Sequence, residues 1–475
     1  MKKLVLAAML VLLPVLLVGC TTAGAASPLD RNNPVTITVW HHHTGAVLNA
    51  FDQMVFEFNE TVGIEEGIIV EAISFGNMGE LEAAVRASAN NEAGSRELPN
   101  IFASFPDTAY LTQELGLLAD LDEYFTPEQQ AEYFAPFIER GRMGMEGELR
   151  IFPISKSTEI MLVNETSWAP FAQQFGFTFD NLATMEGIAY VAQIYYHYYS
   201  GGRAFWGRDS MANFFVISSK KFGTEIFEVN NGQATINVNE EAMRRIWDYY
   251  YTPFVSGYFA AQARFRSDDV RVGDLLAYVG STVSAAFFPQ YIRIDGVNTP
   301  IRAHAMAPPL FAGVDRVMVQ QGAGMVVTTA TPEERYASLR FLRWFTEPAQ
   351  NLRFSSITGY LPVRDAAMSA DLVRDASYEA GNPLSDVVYD TLVVSIDTLR
   401  NSQIYATSAF TGAVDARNIL TRSLQNKAEA DRAAILQLIY DGTPREEAIA
   451  QFANPERFNQ WLTEFTAELN AAVGN

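Results

Sequence analysis

The feature that most constrains the fold of this sequence is an alternation of strand and helix signals near its N-terminus. Three segments rich in apolar and β-branched residues predict strands, and three segments with apolar residues at helical spacing predict helices. In chain order these segments are 34–40, 47–61, 68–73, 78–90, 98–104 and 108–115. Strands that alternate with helices of this length form parallel β-α-β units. The sequence therefore predicts an open α/β sheet, whose ligands bind beyond the carboxyl ends of the strands.

The length of the chain indicates more than one folding unit. Its 475 residues exceed what a single hydrophobic core usually organises. Further strand patterns occur at 148–154 and 159–163, and helical patterns dominate from 413 to the C-terminus. The sequence therefore predicts two α/β lobes.

The N-terminal segment carries the pattern of a secretory signal. Two lysines precede an apolar run over 4–18, which is shorter than the roughly 20 residues that a membrane-spanning helix needs. The tetrapeptide Leu-Val-Gly-Cys that ends at Cys20 resembles the bacterial lipobox, in which the cysteine receives a lipid before cleavage on its amino side. These features predict a signal peptide over 1–19, a lipidated Cys20 and a flexible tether over 20–34. The alternative is an ordinary signal peptide with an incidental cysteine.

This anchor would hold the protein in the cell envelope, facing the periplasm or the cell exterior. Cys20 is the only cysteine in the sequence, so it has no internal disulfide partner. The 55 acidic and 34 basic residues give a formal net charge of −21, which disfavours nucleic acids and anionic lipid headgroups as partners. Aromatic residues make up 12% of the chain, so some are available to stack on a ligand.

Six short stretches, in the same order along the chain, resemble motifs of the extracellular solute-binding proteins of bacterial ABC importers, family 1, the sugar-binding lipoproteins. The stretches are 37–45, 98–102, 151–164, 275–281, 322–327 and 337–363. The third contains the polar crossover Ser-Lys-Ser-Thr, and the last contains Gly-Tyr-Leu-Pro-Val. Together they cover nearly the whole chain after the tether.

The resemblance implies a two-lobed periplasmic-binding-protein fold of type II, with a ligand cleft between the lobes. Lobe 1 would comprise 35–156 and 305–331, and lobe 2 would comprise 157–304 and 332–475. The implied function is to capture an extracytoplasmic mono- or oligosaccharide and deliver it to the permease subunits of the importer. The family implies a monomer that needs no cofactor and has no catalytic activity.

The first strand and the loop after it supply three candidate ligand contacts. Trp40 would offer an aromatic plate to a sugar, although a core position is equally consistent with the sequence. His41 and Thr44 would offer polar groups beside it. The run of three histidines from His41 also suggests zinc, but consecutive strand residues point to alternate sides and converge poorly on one ion.

Four more candidates precede or occupy the crossover between the lobes. Asp107 follows the third strand, where a carboxylate would accept sugar hydroxyls, or would cap the next helix instead. Ser157, Thr158 and Glu159 stand where this family places its crossover against the ligand, and hydroxyl groups both donate and accept. A purely structural role at the hinge is the alternative.

Five further candidate ligand contacts lie later in the chain. Ser281, Gly322, Gly324 and Tyr360 resemble cleft positions of the glycerol-phosphate-binding branch of the family. The glycines would let the backbone approach a ligand closely, or would serve tight strand packing. Trp206 would be the stacking aromatic of lobe 2.

One departure from that branch concerns charge. The branch holds its phosphate with an arginine in a glycine-bounded loop, and the matching stretch 407–414 has no cation. Arg417 lies beyond this loop, on the predicted helix. Because a desolvated phosphate without a cation is costly, the sequence favours a neutral sugar, with Phe410 as an extra stacking face.

Two other classes of function compete with transport. A secreted glycoside hydrolase would need a pair of carboxylates, for which Asp107 and Glu159 are the candidates. A binding module for a sensor or for another ligand, such as glycerol-3-phosphate, a polyol or a peptide, is the second alternative. The Ser-x-x-Lys match at 218–221 has no supporting catalytic residues.

Overall fold

The computed structural model describes residues 28–144, 147–230, 232–294 and 297–474. The predicted signal peptide, Cys20 and most of the predicted tether lie outside the described residues. No helix in the described part of the chain is both long enough and apolar enough to cross a membrane.

Strands and helices alternate along much of the chain. The strands are β1 (Val35–His41), β2 (Ile68–Ser74), β3 (Ile101–Ser104), β4 (Arg142–Met143), β5 (Glu148–Leu149), β6 (Ile151–Phe152), β7 (Glu159–Asn164), β8 (Trp206–Arg208), β9 (Phe227–Asn230), β10 (Gln233–Ile236), β11 (Ala277–Ser281), β12 (Tyr291–Ile294), β13 (Val297–Pro300), β14 (Ala303–Met306), β15 (Val317–Val319), β16 (Gly324–Val327) and β17 (Gln403–Tyr405). The helices are α1 (Gly45–Phe58), α2 (Ile64–Glu66), α3 (Met78–Ala89), α4 (Pro106–Glu114), α5 (Pro127–Gln130), α6 (Ala135–Glu139), α7 (Glu165–Phe175), α8 (Met185–Tyr198), α9 (Met211–Lys221), α10 (Glu240–Ile246), α11 (Thr252–Val255), α12 (Arg266–Val272), α13 (Pro332–Phe345), α14 (Pro348–Thr358), α15 (Ala370–Glu379), α16 (Asp386–Arg400), α17 (Ala413–Tyr440), α18 (Arg445–Ala450) and α19 (Pro455–Ala472).

The first sheet confirms the predicted β-α-β alternation. Its strand order is β2-β1-β3-β16-β6, and β1 runs parallel to both β2 and β3. The three predicted strands are β1, β2 and β3, and the three predicted helices are α1, α3 and α4. β16 enters from far along the chain and pairs antiparallel with β3 and β6.

The second sheet has the order β14-β7-β11-β8. β7 is antiparallel to both of its neighbours, and β11 is parallel to β8. Every residue of β7 is buried. An apolar strand of this kind is covered on both faces, as the continuous Ile-Met-Leu-Val run of its sequence indicates.

Two connections carry the chain between the sheets. The segment 153–158 leads from β6 to β7, and the segment 307–323 returns from β14 to β16. β15, within the second connection, pairs in parallel with β17, which follows α16. The chain therefore passes between two separate sheets, as the fold predicted from the sequence requires.

The helices after β16 divide between the sheets in a way that differs from the predicted lobes. α13 packs against β1, and α14 packs against α1. The ring of Phe58 in α1 lies 5.1 Å from that of Phe341 and 5.2 Å from that of Trp344, both in α13. These aromatic contacts place 332–358 beside the first sheet, whereas the sequence put 332–475 in lobe 2.

The other C-terminal helices lie beside the second sheet. α17 packs against α9, α11 and α19, and α16 packs against β14 and β7. We therefore propose that the first lobe comprises 35–152 and 324–379, and that the second lobe comprises 159–306 and 386–474.

The start of α13 illustrates how local sequence fixes an element. The hydroxyl of Thr331 accepts a hydrogen bond from the backbone N–H of Glu334, and the carboxylate of Glu334 accepts one from the N–H of Thr331. This reciprocal capping box satisfies two N–H groups that the first turn of a helix leaves without partners. The Thr-Pro-Glu-Glu sequence at this point predicts that start.

Candidate functional site

A cavity of about 910 Å³ lies between the two lobes. The first lobe contributes the turn from β3 into α4 and the β4–β5 hairpin, and the second lobe contributes α9, the β9–β10 hairpin and the start of α17. The connections between the sheets supply the base of the cavity. Its volume suits a small molecule, because ligand pockets are typically about 300–1,000 Å³.

Aromatic side chains from both lobes line this cavity. Phe105, Tyr110 and Phe137 belong to the first lobe, and Phe227 and Phe410 belong to the second. The rings of Phe227 and Phe410 lie 4.9 Å apart and are tilted by 35°. The structure thus places Phe410, a predicted stacking residue, at the wall of the cavity.

Amide side chains at the base of the cavity present polar atoms without partners. The side-chain oxygens Oε1 of Gln320 and Gln321 are buried, line the cavity and have no hydrogen-bond partner among the described residues. A buried acceptor that lacks a donor costs free energy, and a ligand hydroxyl would remove that cost. These two groups are therefore poised for a molecule rich in O–H donors.

The predicted crossover residues Ser157 and Thr158 belong to the scaffold beneath the cavity. Ser157 and Gln321 exchange two backbone hydrogen bonds, of 3.1 and 2.9 Å. The hydroxyl of Thr158 donates to the carbonyl of Val319 at 2.7 Å. Both side chains are buried and neither lines the cavity. Both residues join the two connections between the lobes. This is a structural role at the hinge.

Glu159 forms a buried ion pair within the second lobe. Nη2 of Arg208 lies 2.9 and 3.0 Å from its two carboxylate oxygens, and the side-chain amide of Asn213 donates to one of them at 3.2 Å. Glu159 does not line the cavity. Its carboxylate is therefore occupied inside the protein and does not face the same space as Asp107.

Gly322 and Gly324 line the cavity, and each occupies a position that a side chain would disturb. Gly322 has a φ of +95°, which side-chain-bearing residues rarely adopt. A Cβ atom at Gly324 would lie 2.2 Å from a methyl carbon of Ile151. Glycine is therefore required at 324 because β16 and β6 pack closely together.

Asp107 and Arg417 form an ion pair that joins the lobes across the cavity. Asp107 lies in the first turn of α4, and Arg417 lies on α17, as predicted. Oδ2 of Asp107 is 2.9 Å from Nη2 of Arg417, and both residues line the cavity. Burial raises the pKa of Asp107, and the guanidinium of Arg417 opposes that rise. A cation is thus present in the cleft, contrary to the expectation from 407–414.

Lys156 reaches the base of the cavity from the crossover. Its side chain is buried, and its ammonium donates to the carbonyl of Gly322 at 3.1 Å. Burial lowers the pKa of Lys156 to about 8. At neutral pH the group is mostly charged, although its surroundings disfavour that charge.

The candidates after the first strand lie away from this cavity. Trp40 is buried and its ring packs 4.8 Å from that of Phe75. His41 is fully buried, with its ring 4.5 Å from that of Phe51. Thr44 is exposed and precedes α1 without capping it through its side chain. None of these three residues lines the cavity.

Three other candidates also lie outside the cavity. Trp206 is fully buried, 4.8 Å from the ring of Phe259, because β8 inserts it into the core of the second lobe. Ser281 ends β11 opposite Glu159. Tyr360 is half-buried and stacks on Phe354, with 6.4 Å between the ring centroids. Of the thirteen ligand-binding candidates, the structure brings Asp107, Gly322, Gly324 and Phe410 together at the cavity.

Several residues that line the cavity were not predicted from the sequence. Lys156 lies inside the crossover motif. A single lysine in a stretch of apolar and hydroxyl-bearing residues indicates a site that could bind a ligand. Gln320 and Gln321 precede the glycine-rich strand directly. Arg140 and Tyr110 carried no local signal, since they are brought in by the packing of distant segments.

The three consecutive histidines form a cluster of rings at the end of β1. The rings of His41 and His43 lie 5.1 Å apart, and the N–H of His43 donates to Nδ1 of His41 at 3.2 Å. Burial and the neighbouring His42 lower the pKa of His41 to about 4. Among the described residues, no group of three or more His, Cys, Asp or Glu side chains is arranged to hold a metal ion.

Comparisons with known proteins bear on this arrangement. The profile of a family described as bacterial extracellular solute-binding protein matches residues 53–380, more than two thirds of the chain. No curated protein matches the sequence.

Many solved structures share the fold. A cyclic α-maltosyl-1,6-maltose binding protein from Arthrobacter globiformis is 18% identical with a TM-score of 0.66, over 93% of this chain and 99% of that one. UgpB from Mycobacterium tuberculosis, in complex with glycerophosphocholine, is 17% identical with a TM-score of 0.66, over 93% and 100%. The GacH receptor of Streptomyces glaucescens, solved with acarbose, is 15% identical with a TM-score of 0.61, over 90% and 98%. At these identities the likeness establishes the two-lobed fold.

Proposed function

The chain belongs to the bacterial extracellular solute-binding proteins, and from that premise we propose that it captures a carbohydrate and delivers it to the permease of an ATP-driven importer. Proteins of this family bind solutes outside the cytoplasm. The carbohydrate would be a mono- or oligosaccharide. What supports the proposal most is a cavity whose walls come from both lobes, so that a solute inside it touches both.

The lining of the cavity suits a sugar. A sugar presents C–H groups on its faces and hydroxyls around its rim, so its site needs both apolar plates and polar acceptors. Phe227 and Phe410 supply aromatic surface, and the unpartnered oxygens of Gln320 and Gln321 supply acceptors. The neighbours that bind maltosyl-maltose and acarbose support the same class of solute.

Capture would depend on movement of the two lobes. A solute that contacts both walls stabilises the closed arrangement through contacts that an open one lacks. The ion pair of Asp107 and Arg417 spans the same gap and would break on opening. The permease would then distinguish the closed, loaded protein from the open, empty one.

The bound sugar would leave unchanged. A glycosidase needs two carboxylates on either side of the bond that it cleaves. Of the proposed pair, Asp107 lines the cavity, but Glu159 is buried against Arg208. Incubation of the protein with an oligosaccharide that it binds should therefore yield no product by chromatography, and the appearance of shorter sugars would favour the hydrolase.

The lipid anchor remains a proposal from the sequence. Cleavage before Cys20 and acylation of its thiol would tie the protein to a membrane surface through a flexible segment. Metabolic labelling with palmitate should mark the wild type and fail in a Cys20→Ser variant. Labelling that persists in the variant would contradict the anchor.

A phosphorylated solute is the second candidate. Two observations favour it: Arg417 lines the cleft, and one neighbour binds glycerophosphocholine. The guanidinium of Arg417 is already paired with Asp107, however, which leaves less positive charge for a phosphate.

A thermal-shift screen of the mature chain tests the class of solute. Sugars, polyols, sugar phosphates and peptides would be compared at equal concentration. A solute at 100 times its dissociation constant adds about 2.7 kcal/mol of stability, which shifts the melting temperature measurably. Sugars should give the largest shifts, and shifts confined to peptides or polyamines would overturn the proposal.

A further inference from the structure

We infer that the solute is an acidic sugar, and that its carboxylate binds beside the ammonium of Lys156 at the base of the cavity. This inference rests on the proposed function, since it names the kind of carbohydrate that the same cavity takes. A uronic acid, free or within an oligosaccharide, has the required chemistry.

The first support is the incomplete coordination of a buried cation. The side chain of Lys156 is 5% exposed, and it lines the cavity. An ammonium has three N–H donors, and among the described residues Lys156 makes one hydrogen bond, to the carbonyl of Gly322. No carboxylate of the described residues lies within 4.0 Å of its nitrogen. A buried charge with one neutral acceptor is unfavourable, and an anion in the cavity would compensate it.

The second support is the balance of charge around the cavity. The whole chain has 55 acidic and 34 basic residues, yet the cavity is lined by four cations and three anions. The cations are Arg140, Arg142, Lys156 and Arg417, and the anions are Asp107, Glu114 and Glu139. A site whose charge balance is the reverse of that of the whole chain favours a negatively charged ligand.

Two of the four cations already have anionic partners, so the anionic group of the ligand is expected beside one of the other two. Arg142 is held 3.0 Å from Asp122, and Arg417 is held 2.9 Å from Asp107. Arg140 donates to the carbonyl of Ala406 at 3.2 Å, and neither Arg140 nor Lys156 forms an ion pair among the described residues. Lys156, the more buried of the two, is therefore the main candidate to receive the anion, and Arg140 is a second unpaired cation in the same cavity.

A carboxylate matches this site better than a phosphate monoester does. A carboxylate carries one negative charge, which one ammonium balances, and it accepts several hydrogen bonds. A phosphate monoester carries nearly two negative charges at pH 7. The rest of a uronic acid is a ring of hydroxyls, which would reach the unpartnered oxygens of Gln320 and Gln321.

Titration calorimetry with matched sugars tests the inference. Glucuronate and galacturonate, with their short oligosaccharides, would be compared with the corresponding neutral sugars and with sugar phosphates. The wild type should bind a uronate more tightly than its neutral counterpart. Because Lys156 is 5% exposed and its pKa lies at about 8, the affinity for the uronate should fall as the pH rises above about 8.

Variants at Lys156 test whether the preference for a uronate comes from this side chain. Lys156→Met keeps the length of the side chain without its charge and should weaken uronate binding on the order of 100-fold, as expected when one partner of a buried ion pair is removed. Lys156→Arg retains the charge and should recover much of that loss. Lys427→Met, at a lysine on α17 that does not line the cavity, is the matched control and should bind uronate like the wild type.

The outcomes separate this inference from the proposed function. Tight binding of neutral sugars, with equal affinity in the wild type and in Lys156→Met, would overturn the inference and leave carbohydrate capture standing. Sugar phosphates that bind more tightly than uronates would overturn the choice of a carboxylate. Binding of peptides or polyamines with no response to any sugar would overturn both proposals.

Discussion

Two arginine–carboxylate pairs of similar length occupy different mechanical positions in this molecule. Arg208 and Glu159 lie 2.9 Å apart inside the second lobe, with side chains that are 4% and 8% exposed. Arg417 and Asp107 also lie 2.9 Å apart, but they belong to different lobes, and the side chain of Arg417 is 45% exposed. The distance alone would suggest two equivalent ion pairs.

The surroundings of the two ion pairs indicate that they have different roles. The inner pair is closed off from water and further held by the amide of Asn213, so its integrity bears on the stability of one lobe. The pair between the lobes exists only while the lobes are together, so its contribution appears in the equilibrium between open and closed forms. The comparison predicts that mutations should affect unfolding in the first case and ligand release in the second.

The largest effect is expected from breaking the inner pair. Glu159→Gln leaves the guanidinium of Arg208 buried without an anion, and the free energy of unfolding should fall by about 3–5 kcal/mol. Urea denaturation followed by circular dichroism measures it. A loss below about 1 kcal/mol would show that this pair stabilises the fold no more than the pair between the lobes does.

Lys156, a buried charge without an anionic partner among the described residues, adds a third case to this comparison. The pKa of Lys156 in the folded protein is about 8, below its ordinary 10.5, because burial disfavours the ammonium. The empty protein should therefore lose stability as the pH falls from about 10.5 to about 8, by about 3 kcal/mol, and no further from this group below that range.

Lys156→Met removes this penalty and also one hydrogen bond worth about 1 kcal/mol, so the empty variant should be about 2 kcal/mol more stable than the wild type at pH 7. The advantage should shrink as the pH rises above 8, where the wild-type amine is neutral. Denaturation at pH 7 and at pH 10 checks this. A variant less stable than the wild type at pH 7 would mean that the ammonium of Lys156 has an anionic partner in solution.

A smaller effect is expected from the pair between the lobes. Asp107→Asn should weaken ligand affinity about fivefold, equivalent to about 1 kcal/mol, because the closed form loses one partly exposed ion pair. Stopped-flow kinetics should assign the change to faster dissociation. Equal losses of affinity and of unfolding free energy would contradict the division of tasks between the two pairs.

The smallest effect should come from an ion pair on the surface. Arg302→Gln breaks a pair with Glu165 in which the arginine side chain is 74% exposed. Because an ion pair exposed to water contributes little to stability, the midpoint of thermal unfolding should hardly change and the ligand affinity should stay constant. Thermal unfolding and calorimetry on the same sample provide the check and calibrate the other variants.

The sequence predicts the fold of this protein better than its site. The first sheet follows from local patterns, because alternating β-branched residues and helical spacing are read within ten to fifteen residues. The capping box at Thr331 and the buried strand β7 are equally local. The helices after β16 are placed by contacts such as Phe58 with Phe341, which join segments far apart in sequence, and no local pattern states which lobe they cover.

The site depends on such distant contacts. Trp206 and His41 were predicted to contact a ligand, but the structure buries both side chains in the cores of the lobes. Asp107 and Arg417 are separated by 310 positions in the chain and meet only through the packing of α17. Lys156 stands out in the sequence, but only the packing of the crossover leaves it without an anionic partner among the described residues.

If the two lobes close on a sugar, the distance between them should shorten when the sugar binds. Spin labels would be placed on cysteines that replace two exposed arginines, Arg86 on α3 and Arg422 on α17, in a Cys20→Ser background. The distance distribution from pulsed electron resonance should shift to shorter values and become narrower when a sugar that binds by calorimetry is added. A distribution that stays the same at saturating sugar would contradict closure of the lobes on the solute.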